Sequence, residues 1–344
     1  MGQAISKLTI KGYKSIRNLE DFELRNINVL IGPNGAGKSN FVSFFELLQA
    51  IPKENGLPNF YVEKKGGTER FLYLGSKVTQ SVTIELIMNS LPKYTKELSV
   101  TLNDKFTAST NIITVGWDHA DLEIQDFEKH FSSFIVYHFH DTSDFARLKL
   151  PNSEGNYDYL FPDAGNLAPF LFRMKEKQPR DYQAIIEVVG LAAPFFDDFR
   201  FDLNEERGEI KWWWLQKGSD YHFHPSQISD GTLRFICLAT VLLQPDPPST
   251  ILLDEPELGL HPYALTLLAG LIEKASIKTQ VIVATQSASF ISQFDPADII
   301  VVERKDKESV FRRLPLEKLK QWIDDYSLGE LWEMNLLEGR PKNE

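Results

Sequence analysis

Gly32 to Asn40 reads GPNGAGKSN and fits the spacing G-x-x-x-x-G-K-[ST] in full. Residues of these types at this spacing build a cradle for the phosphates of a nucleotide. Small residues at Gly35, Ala36 and Gly37 let backbone N–H groups close around phosphate oxygens, and the helix that follows adds the positive end of its dipole. Lys38 then reaches the outer phosphates as a point charge, and the Ser39 hydroxyl is placed to take one position on Mg²⁺. Asn34 and Asn40 complete the residues expected on the nucleotide. The expected ligand is a nucleoside triphosphate, taken as ATP with Mg²⁺.

A second constellation lies in ILLDEPELGLHP, Ile251 to Pro262, an apolar strand that ends in the adjacent carboxylates Asp254 and Glu255. Successive strand residues face opposite sides, but where the chain begins to turn both can address a ligand above the sheet. Asp254 is then expected to hold Mg²⁺ through its water shell, while Glu255 orients and deprotonates the attacking water. That division of labour is what phosphoryl transfer to water needs. A third piece is ISDGTLRFI, where Ser229, Asp230 and Gly231 lead a helix. Alone it reads as an N-cap and helix start. It acquires meaning from its place, 25 residues before Asp254 (254 minus 229) with a helix and a turn between.

The elements that must position these groups follow from the apolar periodicity. Strands are expected at Leu8 to Gly12, Phe22 to Leu24 and Asn28 to Ile31, before a helix that carries the apolar run Phe41 to Leu48. Further strands fall at Val82 to Met88, Glu97 to Leu102, Ile112 to Gly116 and Phe134 to Phe139. Prolines punctuate Pro151 to Pro225 and leave short helices at Leu167 to Lys175 and Asp181 to Leu191. They also leave no room for the three or four uninterrupted heptads of a coiled-coil arm. From Ser229 the pattern is α/β: helices Gly231 to Leu243, Pro262 to Ala275 and Ser287 to Gln293 alternate with strands Ser249 to Asp254, Gln280 to Ala284 and Asp298 to Val302. An edge strand, Val310 to Leu314, and two terminal helices close the chain.

With 344 residues, 42% hydrophobic and 25% charged, the composition is that of a soluble globular protein able to bury a sizeable core. No apolar run approaches the roughly 18 uncharged residues of a membrane span, and no secretory segment is present. MGQAISKLTI resembles an N-myristoylation pattern at Gly2 and Ser6, against which Ile10 begins a strand. The single cysteine, Cys237, reads as a small core residue in a reducing cytoplasm. A net charge of -11 argues against nucleic-acid binding by the whole surface but leaves room for a local basic stripe. Stripes exist at Lys7, Lys11, Lys14 and Arg17, at Lys64 and Lys65, and at Arg304, Lys305, Arg312 and Arg313, and each is read as charged strand and loop ends.

The order of motifs, phosphate loop, S-x-G helix, strand with Asp-Glu and strand ending in Thr285-Gln286-Ser287, resembles the ABC-type ATPases. Within them LTIKGYKSIRNLEDFEL, INVLIGPNGAGKSN, SDGTLR and LLDEPELGLHP look most like the branch of the SMC and RecF proteins and the OLD-type and related stand-alone ATPases. The resemblance covers roughly residues 5 to 50 and 226 to 303. It implies an α/β fold, a P-loop NTPase with an ABC-type head: a mixed sheet around the phosphate-loop helix, an antiparallel N-terminal sheet and a small helical/β insertion. It also implies one ATPase domain over 1–344, with lobe I at about 1–145, the insertion at about 146–225, lobe II at about 226–305 and an appendix at 306–344.

In such heads two copies sandwich two ATP, so Ser229 and Gly231 are expected to act in trans on a partner's nucleotide while Lys38, Ser39, Asp254 and Glu255 act in cis. Lys14 and Ser15 lie where related proteins contact the nucleotide near its base. Gln286 stands where many ABC-type proteins have a His, which puts a charged sensing role there in doubt. His140 and Asp141, in YHFHDT after a strand, are the positional candidates for the Mg²⁺-contacting loop, the alternative being a capped turn. The implied activity is that of a cytoplasmic ATPase, a homodimeric switch in DNA maintenance or in defence against foreign DNA, with DNA and a separately encoded nuclease as partners and no membrane. The competing reading, a nucleotide-binding subunit of an ABC transporter, meets the wide separation of Lys38 and Ser229. Too few residues follow Glu303 for a Toprim nuclease domain. Trp212, Trp213 and Trp214 read as burial against the proline-rich helices, and His222, His224 and His261 do not have metal-ligand spacing.

Overall fold

Apolar runs bounded by turn residues become the buried strands of a parallel sheet, and the phosphate loop hangs from one of them. The computed structural model describes residues 4–53, 57–89, 91, 93–101, 104–113, 124–153, 155, 159–323 and 325–337. In chain order, β1 (Ile5–Tyr13), β2 (Ile16–Glu23) and β3 (Ile27–Ile31) precede α1 (Lys38–Lys53) and α2 (Asn59–Lys64). Strands β4 (Ser81–Met88), β5 (Lys93–Val100) and β6 (Phe106–Ile113), helix α3 (Ile124–Lys129) and strand β7 (Phe134–Tyr137) follow. The middle carries β8 (Asn152–Ser153), α4 (Leu167–Lys177), α5 (Pro179–Ala192), β9 (Phe196–Asn204), β10 (Glu209–Gln216) and β11 (His222–Phe223). Then come α6 (Asp230–Leu243), β12 (Thr250–Asp254), α7 (Pro262–Ala275), β13 (Gln280–Thr285) and α8 (Ala288–Ile291). Strands β14 (Ile299–Lys305) and β15 (Glu308–Arg313) and helices α9 (Leu316–Ile323) and α10 (Leu328–Glu333) end the described chain.

The chain forms two compact units, one of residues 1–136, 248–254 and 276–344, the other of residues 137–247 and 255–275. In the first, a six-stranded sheet runs β15-β14-β3-β13-β12-β7. The β12, β13, β3 and β14 pairs are parallel, and β15 adds an antiparallel edge. Every residue of β3 and β13 is buried, which is why these segments read as continuous apolar runs rather than alternating ones. The buried Asn28 inside β3 is satisfied: it exchanges hydrogen bonds with the Arg25 backbone and accepts one from Arg313. A five-stranded antiparallel sheet, β2-β1-β4-β5-β6, shares one hydrophobic cluster with α1, whose Phe41, Phe44, Phe45 and Leu48 are fully buried.

Several elements depart from the sequence expectation. The strand expected at Phe22 to Leu24 is the end of the longer β2, which pairs along β1 and whose residues are mostly exposed, so its alternation is hidden among charges. Strand β5 starts earlier than Glu97, and β6 starts earlier than Ile112, because Lys93 to Val100 and Phe106 to Ile113 pair residue by residue. Residues 114–116 of that expected strand, and Gly2 of the myristoylation pattern, lie outside the described residues. Ser6 of that pattern is in β1 and donates to the Ile87 carbonyl. Helix α2 has no counterpart in the sequence reading, and α8 is shorter than Ser287 to Gln293. The longest helix among the described residues, α1, has 16 residues, short of the three heptads, about 21 residues, of a coiled-coil arm.

In the second unit β9 and β10 form an antiparallel ribbon with β8 and β11 at its edges. Trp212 and Trp214 point to its buried side, Trp212 Nε1 donating to the Leu148 carbonyl at 3.0 Å and Trp214 stacking on Phe223. Trp213 is half-buried on the other side, so the burial reading holds. Cys237 sits in the core of α6, and burial pushes its thiol up to about 12, which leaves it inert at neutral pH. Among the described residues no helix is long and apolar enough to cross a membrane.

Candidate functional site

The phosphate loop turns from β3 into α1, and its glycines are there for room as much as for flexibility. A Cβ on Gly32 would come within 2.2 Å of the Val302 carbonyl oxygen, and one on Gly37, at φ +114°, within 2.0 Å of Ser309 Oγ. No other residue type fits either place. Gly35 has open space around it but a φ of +78°, so its requirement is conformational. Asn34, Gly35 and Ser39 are exposed on the loop, whereas Ala36 is buried. Lys38 heads α1 with only 5% of its surface exposed, and its ammonium donates to the Gly32 and Pro33 carbonyls at 2.6 and 3.2 Å. The lysine is thereby held along its own loop, where phosphate oxygens are the stronger acceptors for it.

A hydrogen-bonded chain braces this loop from behind. Asn40 Nδ2 donates to Ser15 Oγ at 2.7 Å, Ser309 Oγ lies 2.7 Å from the same oxygen, and the Ser309 hydroxyl donates to the Ala36 carbonyl at 2.5 Å. The Ser309 N–H also donates to the Ser15 carbonyl. Ser15 and Asn40 were expected at the nucleotide; the structure gives both a bracing bond as well. Ser309 was missed, because it belongs to no motif and lies in the stretch read as a terminal appendix. Lys14, at φ +48°, donates to Ser43 Oγ at 2.7 Å, and burial lowers its pKa, with Glu46 opposing that shift and Lys65 adding to it.

The carboxylate strand reaches the same edge of the same sheet. Asp254 pairs in register with Ala284, and Ala284 with Leu30, so β12, β13 and β3 end side by side at Asp254, Thr285 and Ile31. Two strand spacings, about 10 Å, therefore separate the strand of Asp254 from that of the loop. Gln286, exposed, follows β13 directly. Ligands of open α/β sheets bind at such carboxyl ends. The exposed hydroxyl of Ser39 and the carboxylate of Asp254 are oxygen donors of the kind the hard cation Mg²⁺ takes. Glu255 follows at φ +47°, a left-handed conformation that costs a non-glycine residue roughly 1–2 kcal/mol. Such strain persists where the position serves something other than stability.

In the second unit Ser229 is the N-cap of α6, its hydroxyl accepting from the Thr232 N–H at 3.2 Å, and it remains exposed. A Cβ on Gly231 would lie 2.3 Å from the Gly259 carbonyl oxygen, so that position takes glycine because the turn after Glu255 runs against the helix. Arg234, one turn further, was missed by the sequence reading. Its Nε donates to the Phe139 carbonyl, Nη2 to the His140 carbonyl and Nη1 to the Leu258 carbonyl, at 3.1, 3.2 and 3.0 Å. Asp141 Oδ1 accepts from the Ser143 N–H at 3.0 Å, and bonds from Ser143 lower its pKa, so in this structure Asp141 caps a turn. His140 is exposed and contributes its backbone to Arg234. His224 Nδ1 bonds within its own turn, and His261 Nδ1 accepts from the Tyr263 N–H.

The fork of Arg234 holds three carbonyls from two loops against one helix, which a lysine cannot do. Arg234→Ala and Arg234→Lys are both expected to destabilise the chain by about 1–3 kcal/mol, the cost of leaving hydrogen-bonded carbonyls without their partner. Urea denaturation reads the effect, and midpoints equal to that of the unaltered chain refute the bracing of the two loops by Arg234.

Residues 27–292 match the family described as "AAA domain, putative AbiEii toxin, Type IV TA system". Among solved structures, the Smc head bound to the C-winged helix domain of ScpA superposes with a TM-score of 0.63 at 17% identity, over 92% of this chain and 99% of that chain. The Smc head domain with an extended coiled coil bound to the C-terminal domain of ScpA, derived from Pyrococcus furiosus, gives 0.58 at 17% identity, over 93% and 98%. At these identities the likeness shows the fold alone, that of an Smc head domain. No curated protein matches the chain.

Proposed function

Because the chain belongs to the family described as "AAA domain, putative AbiEii toxin, Type IV TA system", we propose that it is an ATP-hydrolysing head that pairs with a second copy around two ATP and works as a switch. The observation that carries hydrolysis is Glu255, held in a left-handed conformation directly after the strand that ends in Asp254. In this reading residues 1–344 work as one ATPase domain. Asn34 to Asn40 cradle the triphosphate, with Lys38 drawn from its loop carbonyls to the outer phosphates. Ser39 and Asp254 would hold Mg²⁺, which when bound neutralises charge on the phosphates. Glu255 takes a proton from the attacking water, and Gln286 orients that water by donating and accepting hydrogen bonds. Lys14 and Ser15 lie toward the nucleoside, and Asp141 and His140 serve the metal only if their turn rearranges.

Ser229 and Gly231 head a helix whose free N–H groups suit a phosphate, and they are assigned to the partner's nucleotide. Self-complementary use of one surface on two copies gives a closed, two-fold dimer. The Smc heads above are bound to a separate protein, ScpA. By analogy this head passes its state to a separate effector, a nuclease in DNA maintenance or in defence against foreign DNA, in the cytoplasm. Light scattering tests the pairing. The chain is expected to be monomeric with ADP and to double its mass with Mg²⁺ and a non-hydrolysable ATP analogue. A monomer at saturating analogue sinks the sandwich.

A further inference from the structure

Helix α8 begins two residues after Gln286 and has only four residues, Ala288–Ile291. A helix of one turn has little stability of its own and lies where its tertiary contacts put it. Gln286 is therefore held between two points. Before it, the buried Thr285 ends β13 beside Ile31 of β3. After it, Ser287 donates its N–H to Thr285 Oγ1 at 3.0 Å and caps α8, its hydroxyl accepting from the Phe290 N–H at 3.2 Å. The first point belongs to the sheet. The second goes wherever α8 goes, and a partner that fixes α8 comes from the terminal appendix.

That partner is α10, and it meets α8 through a glycine. Gly329 is buried, and a Cβ there would come within 2.4 Å of the Ala288 carbonyl oxygen and 2.5 Å of Ser292 Oγ. Its N–H, which has no acceptor within the first turn of a helix, donates to Ser292 Oγ at 2.9 Å. The same hydroxyl donates to the Ala288 carbonyl at 3.0 Å. Glycine is a poor helix residue, so its place in α10 is explained by this close approach and not by helix formation. The rest of α10 is anchored as well. Leu328, Leu331 and Leu337 are buried, and Ser327 and Glu330 cap each other's backbone. Arg312 of β15 donates to the Leu337 carbonyl, and β15 also carries Ser309, whose hydroxyl bonds the Ala36 carbonyl of the phosphate loop. The appendix ties α8 to the strand that braces that loop.

We propose that α10 is the positioning element of Gln286, with Gly329 as its positioning residue: glycine lets α10 seat closely enough on α8 to hold the turn that presents Gln286. The proposal rests on the role given to Gln286 above and acts through that residue. Gly329→Ala must part the two helices by about 1 Å, the difference between 2.4 Å and the 3.4 Å of ordinary contact. A misplacement of that size costs up to about 10²-fold in rate. The test is single-turnover ATP hydrolysis and a nucleotide titration with the full chain, with thermal unfolding as the check of folding. Gly329→Ala is expected to lower the rate of hydrolysis by about tenfold to 10²-fold and to leave ATP affinity unchanged. Ser292→Ala removes the bridging hydroxyl without adding bulk. It is expected to lower the rate by about threefold, the worth of one hydrogen bond, and it carries the test alone where Gly329→Ala fails to fold. In a Gln286→Ala background neither substitution is expected to lower the rate further, because the residue acted upon is gone. Full activity in both variants, the same fold-loss with and without Gln286, or a parallel loss of ATP affinity overturns the proposal and leaves the role of Gln286 standing. Unaltered hydrolysis by Gln286→Ala alone refutes that role instead, and α10 then has nothing to position.

Discussion

Glu255→Gln is expected to leave ATP binding intact and to lower turnover by on the order of 10²-fold or more, the loss of a general base. The two side chains have the same shape and reach, and glutamine keeps hydrogen-bonding capacity while losing the ability to accept the proton. Glutamine also carries a Cβ into the same left-handed backbone at φ +47°, so the strain is unchanged and the fold is not the variable. Nucleotide binding is assigned to Gly35 to Ser39 in the phosphate loop, which the substitution does not touch. Phosphate release under saturating ATP reads the effect, and a nucleotide titration supplies the control. Glu255→Gly sharpens the comparison. It removes the side chain and the conformational strain together, so it is expected to lose turnover equally while gaining about 1 kcal/mol of stability. A variant more stable and inactive places the strain in the service of chemistry. Unchanged turnover in Glu255→Gln refutes the assignment of the base.

The parts legible in the sequence were those with strong local rules. Ile27 to Ile31 and Thr250 to Leu253 are buried throughout, so they read as strands from apolarity alone, and the loop between β3 and α1 is specified by glycines that have no alternative. Helix α7 falls at Pro262–Ala275, where proline starts it and apolar spacing carries it. Edge and ribbon strands were different. In β2 and β9 charged residues outnumber the buried ones, because each strand is held by pairing with a neighbour rather than by its own apolar face. Propensity registers a segment's own side chains and not the partner that supplies its hydrogen bonds.

The same reason hid Ser309 and Arg234. Ser309 reaches Ala36 across 273 positions of sequence, and Arg234 reaches Phe139 across 95. Their side chains meet backbone carbonyls, and a carbonyl leaves no mark on sequence spacing. For His140 and Asp141 the sequence offered two readings, and the capped turn is the one formed in this structure, since a short acidic side chain finds the N–H two residues on at little cost.

Subunits carrying Lys38→Ala and subunits carrying Ser229→Arg are each expected to be inactive alone and to recover activity when mixed. The reason is geometric. If Ser229 acts on the partner's nucleotide, every dimer has two composite sites, each made of one copy's loop and the other copy's α6 terminus. A homodimer of either variant damages both sites, since Lys38→Ala removes the point charge on the outer phosphates and Ser229→Arg replaces an exposed small cap by a long side chain at the helix start. A mixed dimer collects both lesions in one site and leaves the other intact. With random pairing at equal concentrations half of the dimers are mixed, each with one working site, so turnover should reach about a quarter of the unaltered level under isologous pairing. If Ser229 acts on its own copy's nucleotide, both kinds of subunit stay broken in every pairing. The mixture then never exceeds the sum of its parts at any ratio, and the composite site fails with it.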